Sequence, residues 1–117
     1  MTREEFDTYC GQLKATTNVI QWGNASVWKI GGKIFAICSN WGEGSQTKFS
    51  FKCSDLAFSV LCEMPDIIPA PYLARAKWVQ IETPEGMSDD SLRQHIDAAY
   101  DIIVGKLTKT LRAELGL

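Results

Sequence analysis

Gly31-Gly32, set between VWKI and KIFAIC, is the feature that most restricts what this chain can become. Two adjacent glycines supply the positive φ angles of a two-residue hairpin turn, and the flanking runs are rich in β-branched and aromatic residues. The turn places Ile30 opposite Lys33 and Trp28 opposite Phe35. Side chains alternate along a strand, so Trp28, Ile30, Phe35 and Ile37 share one face, and Val27, Lys29, Ile34, Ala36 and Cys38 the other. The first set is bulkier and is expected to form the core face.

The rest of the chain is legible around that hairpin. Thr2 and Glu5 form a capping box, and Phe6, Tyr9, Cys10 and Leu13 then fall on one helical stripe. Val19 to Trp22 reads as a short strand closed by Gly23-Asn24. Thr47 to Cys53 alternates cleanly, with Phe49 and Phe51 inward and Lys48, Ser50 and Lys52 outward. This predicts a sheet with one buried and one open face. Ser54-Asp55 starts a short helix through Met64, with Leu56, Val60 and Leu61 as its packing residues.

The stretch Met64 to Ile81 has two halves. Pro65, Pro69 and Pro71 exclude a regular helix and a central strand in the first. The second leads into a strand over Lys77 to Thr83, with Val79 and Ile81 facing the core and Trp78 and Gln80 the open face. Ser88 caps a final helix in which Leu92, Ile96, Ala99, Tyr100, Ile103 and Leu107 recur at three- and four-residue spacing. Gly105 interrupts it, and Leu111 and Leu115 mark a further helical segment. The expectation is an α+β fold of order α-β-β-β-β-α-β-α: an antiparallel sheet with N- and C-terminal helices packed on one face, in a single domain spanning 1–117.

Composition narrows the function. A chain of 117 residues with 45% hydrophobic and 22% charged residues matches a globular domain with its own core. No apolar run is long enough to span a bilayer, and the acidic, polar MTREEFDTY is not a signal peptide, so no membrane partner and a cytoplasmic location are expected. The four cysteines lack the C-x-x-C spacing of a zinc site and read as buried free thiols. Glu4, Glu5 and Asp7 suit the positive end of the first helix, which leaves no need for a metal there.

No catalytic constellation is visible. NWGEGSQ lacks the lysine, spacing and following helix of a phosphate-binding loop, no serine sits in a nucleophile elbow, and His95 reads as a boundary residue of the last helix. The chain is therefore expected to be no enzyme and to carry no cofactor. Trp22 and Trp28 are expected in the core, and Trp41 on a flexible loop.

What remains is binding. Lys29, Lys48, Lys52 and Trp78 would project from the open sheet face, with Arg75 and Lys77 at its margin. Ammonium and guanidinium groups meet phosphates, and an indole stacks on a base, so DNA is the first expected partner. A net charge of −2 argues for a local rather than a global basic surface. The alternative is a protein- or small-ligand-interaction domain using a pocket edged by the 65–78 segment, with Arg75 touching the ligand. In a purely structural reading of that segment, Tyr72 and Leu73 plug a sheet edge and Arg75 pairs with an acid.

MTREEFDTYC, VIQWG followed by VWKIGGKIFA, FSFKC, IIPAPYLARAKWV and the closing KLTKTLRAEL together resemble the MmcQ/YjbR family over essentially the whole chain. The resemblance implies a fold similar to bacterial frataxin, the CyaY-like fold, and DNA binding through a double wing of hairpins. Frataxin's iron chemistry does not follow, because its acidic ridge is missing here. The family often has proline where this chain has Thr108, so a less sharp break in the last helix is expected.

Overall fold

The computed structural model describes residues 1–41 and 46–117. The strands among them are β1 (Thr16–Gln21), β2 (Ala25–Ile30), β3 (Lys33–Ser39), β4 (Lys48–Lys52), β5 (Ile67–Pro69) and β6 (Trp78–Ile81). They form one antiparallel sheet in the order β1-β2-β3-β4-β6-β5. The helices are α1 (Arg3–Gln12), α2 (Asp55–Leu61), α3 (Asp89–Gly105) and α4 (Lys109–Glu114). The expected α+β class and the packing of terminal helices on one sheet face both hold. The short β5 is the added element. Its Pro69 sits on the outermost strand, where the missing N–H leaves no gap in the sheet interior.

Local chemistry explains the helix ends. The Thr2 hydroxyl accepts from the Glu5 N–H while the Glu5 carboxylate accepts from the Thr2 N–H, closing the capping box. Ser54 and Ser88 cap α2 and α3 through their hydroxyls. The last helix does break without a proline: α3 ends at Gly105, and the Thr108 hydroxyl accepts from the Leu111 N–H to start α4. In α2 the packing residues differ from expectation. Leu61 is buried, but Leu56 and Val60 are exposed, and Ala57 and Phe58 pack in their place.

The main core lies between the sheet and α1 and α3. Phe6 and Cys10 of α1 and Leu92, Ile96, Ala99 and Ile103 of α3 meet Ile30, Phe35, Phe49, Phe51, Val79 and Ile81. Full burial of each Leu, Ile, Val or Phe side chain among them is worth about 1.5–3 kcal/mol. Tyr9 ties the two helices together, its hydroxyl donating to Asp97 at 2.6 Å; burial, then that bond, pushes its pKa up to about 12. The four cysteines are free, and burial raises Cys53 to about 11 and Cys38 to about 12, so these thiols pack rather than react.

The hairpin register departs from expectation at one point. Ile30 does pair with Lys33, but Trp28 pairs with Ala36 because Phe35 is an extra residue in β3. This bulge lets Phe35 and Ala36 both face the helices, and beyond it the alternation is reversed. Cys38 therefore joins the main core, and Ile37 crosses to the other face beside Val27.

That other face is not open, which corrects a second expectation. Ala25, Val27, Ile37, Ala70 and Trp78 form a smaller buried cluster there, with Ile34, Trp41 and Leu73 packed against it. The stretch after β5 folds back over the sheet, its Ala70 N–H donating to the Trp78 carbonyl at 2.9 Å.

Candidate functional site

The face opposite the helices carries a groove of about 850 Å³. Its base is apolar: Ile37 and Trp78 are buried, and Ile34 and Leu73 half-buried. Small-molecule sites typically occupy roughly 300–1,000 Å³ and are lined mainly by apolar and aromatic groups. The groove falls in that class by size and lining.

One side comes from the turn between β1 and β2 and from Trp41, two residues beyond β3. Trp22, Gly23 and Asn24 all have left-handed backbones, with φ of 52, 74 and 71°. Asparagine and glycine tolerate this; a tryptophan does so at a cost of about 1–2 kcal/mol. The Trp41 indole N–H donates to the Trp22 carbonyl at 2.8 Å, and the two rings lie 6.3 Å apart at 52°. The other side is the turn Pro71-Tyr72-Leu73, where Tyr72 also has a left-handed backbone, φ 66°. Its ring is fully exposed, and Trp22 is 54% exposed. Tyr72 thus plugs nothing, and Trp22 is not a core residue; of that expected pair only Trp28 is buried.

Lys33 and Lys106 also line the groove, which extends to Ile103 near the C-terminal end of α3. No carboxylate stands among the described lining residues. Lys52 is depressed below the usual lysine range, first by burial and next by the nearby charge of Lys106, with Lys77 adding to it. Lys52 thus lies within electrostatic reach of Lys106 and Lys77, with the Asp55 carboxylate acting in the opposite sense.

The residues expected to bind nucleic acid are not gathered on one open surface. Lys48 is 4% exposed and Trp78 5% exposed, which corrects the placement of both on open surface. Lys52 is half-buried and donates to the Ala76 carbonyl. Lys77 holds its ammonium 4.9 Å from the Phe58 ring centre. Lys29 is half-buried on β2, and Arg75 is exposed and forms no ion pair among the described residues. Of the six, only Trp78 lines the groove. Pro71, Tyr72, Leu73 and Trp78 line it as the alternative reading of the 65–78 segment expects, whereas Trp22, Lys33, Trp41 and Lys106 line it without having been expected to. Part of the NWGEGSQ loop, residues 42–45, lies outside the described residues.

Elsewhere the polar inventory is structural. His95 stacks on Phe51 with ring centres 5.4 Å apart. Among the described residues no cluster of three or more His, Cys, Asp or Glu is placed to hold a metal, and no helix is long and apolar enough to cross a membrane.

Comparison with known proteins gives a family and a fold. The YjbR family model matches residues 11–102. A crystal structure of a Deinococcus radiodurans protein with the domain DUF419 superposes with a TM-score of 0.85 at 21% identity, covering 99% of this chain and 88% of that one. A Pseudomonas syringae protein superposes at 0.71 with 16% identity, covering 87% of this chain and 98% of that one. No curated protein sequence matches.

Proposed function

The chain belongs to the YjbR family, and from that premise we propose that it is a non-enzymatic, cytoplasmic binding module whose ligand seats in the groove beside the Pro71–Leu73 turn. One observation carries this reading: the two exposed aromatics that border the groove, Trp22 and Tyr72, both sit in left-handed backbones. Such backbones cost free energy, and burying a large ring would offset that cost. Tyr72 is fully exposed and Trp22 is covered only in part, by Trp41, so folding recovers little of that cost. A ligand that covers them supplies the missing return.

A thermal-shift screen of aromatic and heteroaromatic fragments tests the reading. Hits should stabilise the protein, quench tryptophan fluorescence, and weaken when Trp22 or Tyr72 becomes serine. A screen whose hits all survive both substitutions would remove the groove as the site.

DNA binding by basic hairpin wings is the second reading, favoured by the proximity of Lys52 to Lys106 and Lys77. It requires labelled duplex DNA to bind at low salt with a steep salt dependence. Charge reversal at Lys52 should weaken that binding. The burial of Lys48 and Trp78 leaves this reading with fewer surface contacts than the lysine pattern suggests.

A further inference from the structure

We infer that the groove takes a small ring-bearing anion, its ring against Trp22, Trp41 and Tyr72 and its charged group toward Lys33 and Lys106. This rests on the groove being the binding site, as proposed above, and adds the chemical class of the occupant.

Three observations select that class. The first is charge segregation: the chain has 14 acidic and 12 basic residues, yet the described groove lining holds two ammonium groups and no carboxylate. Neither Lys33 nor Lys106 is in an ion pair among the described residues, and both are exposed. Lys52 and Lys77 add positive charge near the Lys106 end, and the Asp55 carboxylate beside Lys52 offsets part of it. A cationic ligand would be repelled, and a neutral one would leave this field unused.

The second is the arrangement of rings. Trp22 and Trp41 meet at a tilt of 52°, leaving ring faces that are not stacked on each other. Tyr72 stands opposite on its own turn with its whole surface available. Planar π systems gain from such surfaces by offset or edge contact. The third is size and shape. A volume of about 850 Å³ with a buried apolar base fits a ligand of a few rings. A DNA duplex is a broad convex cylinder and cannot bring its backbone down to that base.

The test uses a matched pair of probes, naphthalene-1-carboxylate and naphthalene-1-carboxamide, titrated at low salt while tryptophan fluorescence is followed. Both have the same rings, and only one carries charge. The carboxylate should bind about tenfold more tightly than the amide. Lys33→Gln with Lys106→Gln should bring the two affinities together without changing thermal stability, since both side chains are exposed. Equal affinities in the unsubstituted protein would overturn the anion assignment and leave the groove reading standing. Saturable binding of neither probe would overturn both. A twelve-residue oligothymidylate that binds more tightly than the carboxylate and displaces it would replace the small ligand by single-stranded nucleic acid.

Discussion

The indole N–H of Trp41 donates to the main-chain carbonyl of Trp22 at 2.8 Å, so a residue beyond β3 fastens the turn between β1 and β2. The bond holds one side of the groove in shape. Trp41→Phe keeps an aromatic ring and deletes the donor. Because the bond is exposed, stability in urea should fall by no more than about 1 kcal/mol. Naphthalene-1-carboxylate should nonetheless bind several-fold more weakly, because the Trp22 turn is no longer held. Unchanged affinity would mean that the turn needs no fastening.

Tyr72 separates folding from binding more sharply. Its φ of 66° is natural for glycine and strained for tyrosine, and its ring makes no buried contact. Tyr72→Gly relieves about 1–2 kcal/mol of strain and returns roughly 0.5–1 kcal/mol through the greater freedom of the unfolded chain. The urea midpoint should hold or rise, while probe affinity falls. A clear loss of stability would show that the tyrosine serves the fold.

Asp7 illustrates a role that helix-end electrostatics does not describe. One of its carboxylate oxygens accepts from the Ser26 hydroxyl at 2.6 Å and from the Trp28 indole N–H at 2.9 Å. Both donors belong to buried residues. Asp7→Ala strands them and should cost roughly 2–4 kcal/mol, read as a lower urea midpoint. Asp7→Asn keeps an acceptor oxygen and should cost less than half as much.

The hairpin that organises the sheet also sets the position of the link between α3 and α4. A Cβ on Gly31 would lie 2.7 Å from both methyl carbons of Leu107, at a φ of 60°. A Cβ on Gly32, φ 80°, would meet nothing within 4 Å. Gly31→Ala should therefore cost about 2–4 kcal/mol, from strain and overpacking together, and Gly32→Ala only about 1–2. Thermal unfolding of the two variants separates the terms. Equal losses would show that Leu107 moves aside freely.

What was legible in the sequence was local. The Thr2–Glu5 box, the serine caps and the diglycine turn each depend on residues within a few positions, and each is present. The bulge at Phe35 was hidden because Ile34 through Cys38 is apolar throughout, so either alternation puts hydrophobic groups on both faces. The covered face was hidden for a different reason. Lys48 and Lys52 alternate with phenylalanines as solvent-facing lysines would, and it takes Ala70 and Leu73 together with Trp41, all distant in sequence from that strand's pattern, to cover the face. The groove inherits this non-local origin: its aromatics come from two turns, the segment after β3 and β6, and its ammonium groups from a hairpin and a helix end. Trp22 before Gly23-Asn24 was the one available signal, since a turn that needs several left-handed residues can take in its neighbour.

His95 gives the fold a pH dependence whose sign follows from its surroundings. It is half-buried and stacked on Phe51, and burial holds its pKa below the ordinary 6.5. The unfolded chain then binds a proton at about pH 6.5, before the folded one does. Stability is fully present above that value and declines as pH falls from it through the lower folded pKa. Glu5 and Asp89 are held below their usual values of 4.5 and 3.8, so they titrate beneath this window. His95 is the sole histidine, which makes the assignment clean. The urea midpoint should drop between pH 7 and about pH 5.5, and His95→Phe, which preserves the stacked ring, should flatten that change. A midpoint that rises on acidification, or a variant with the same slope, would place the responsible proton elsewhere.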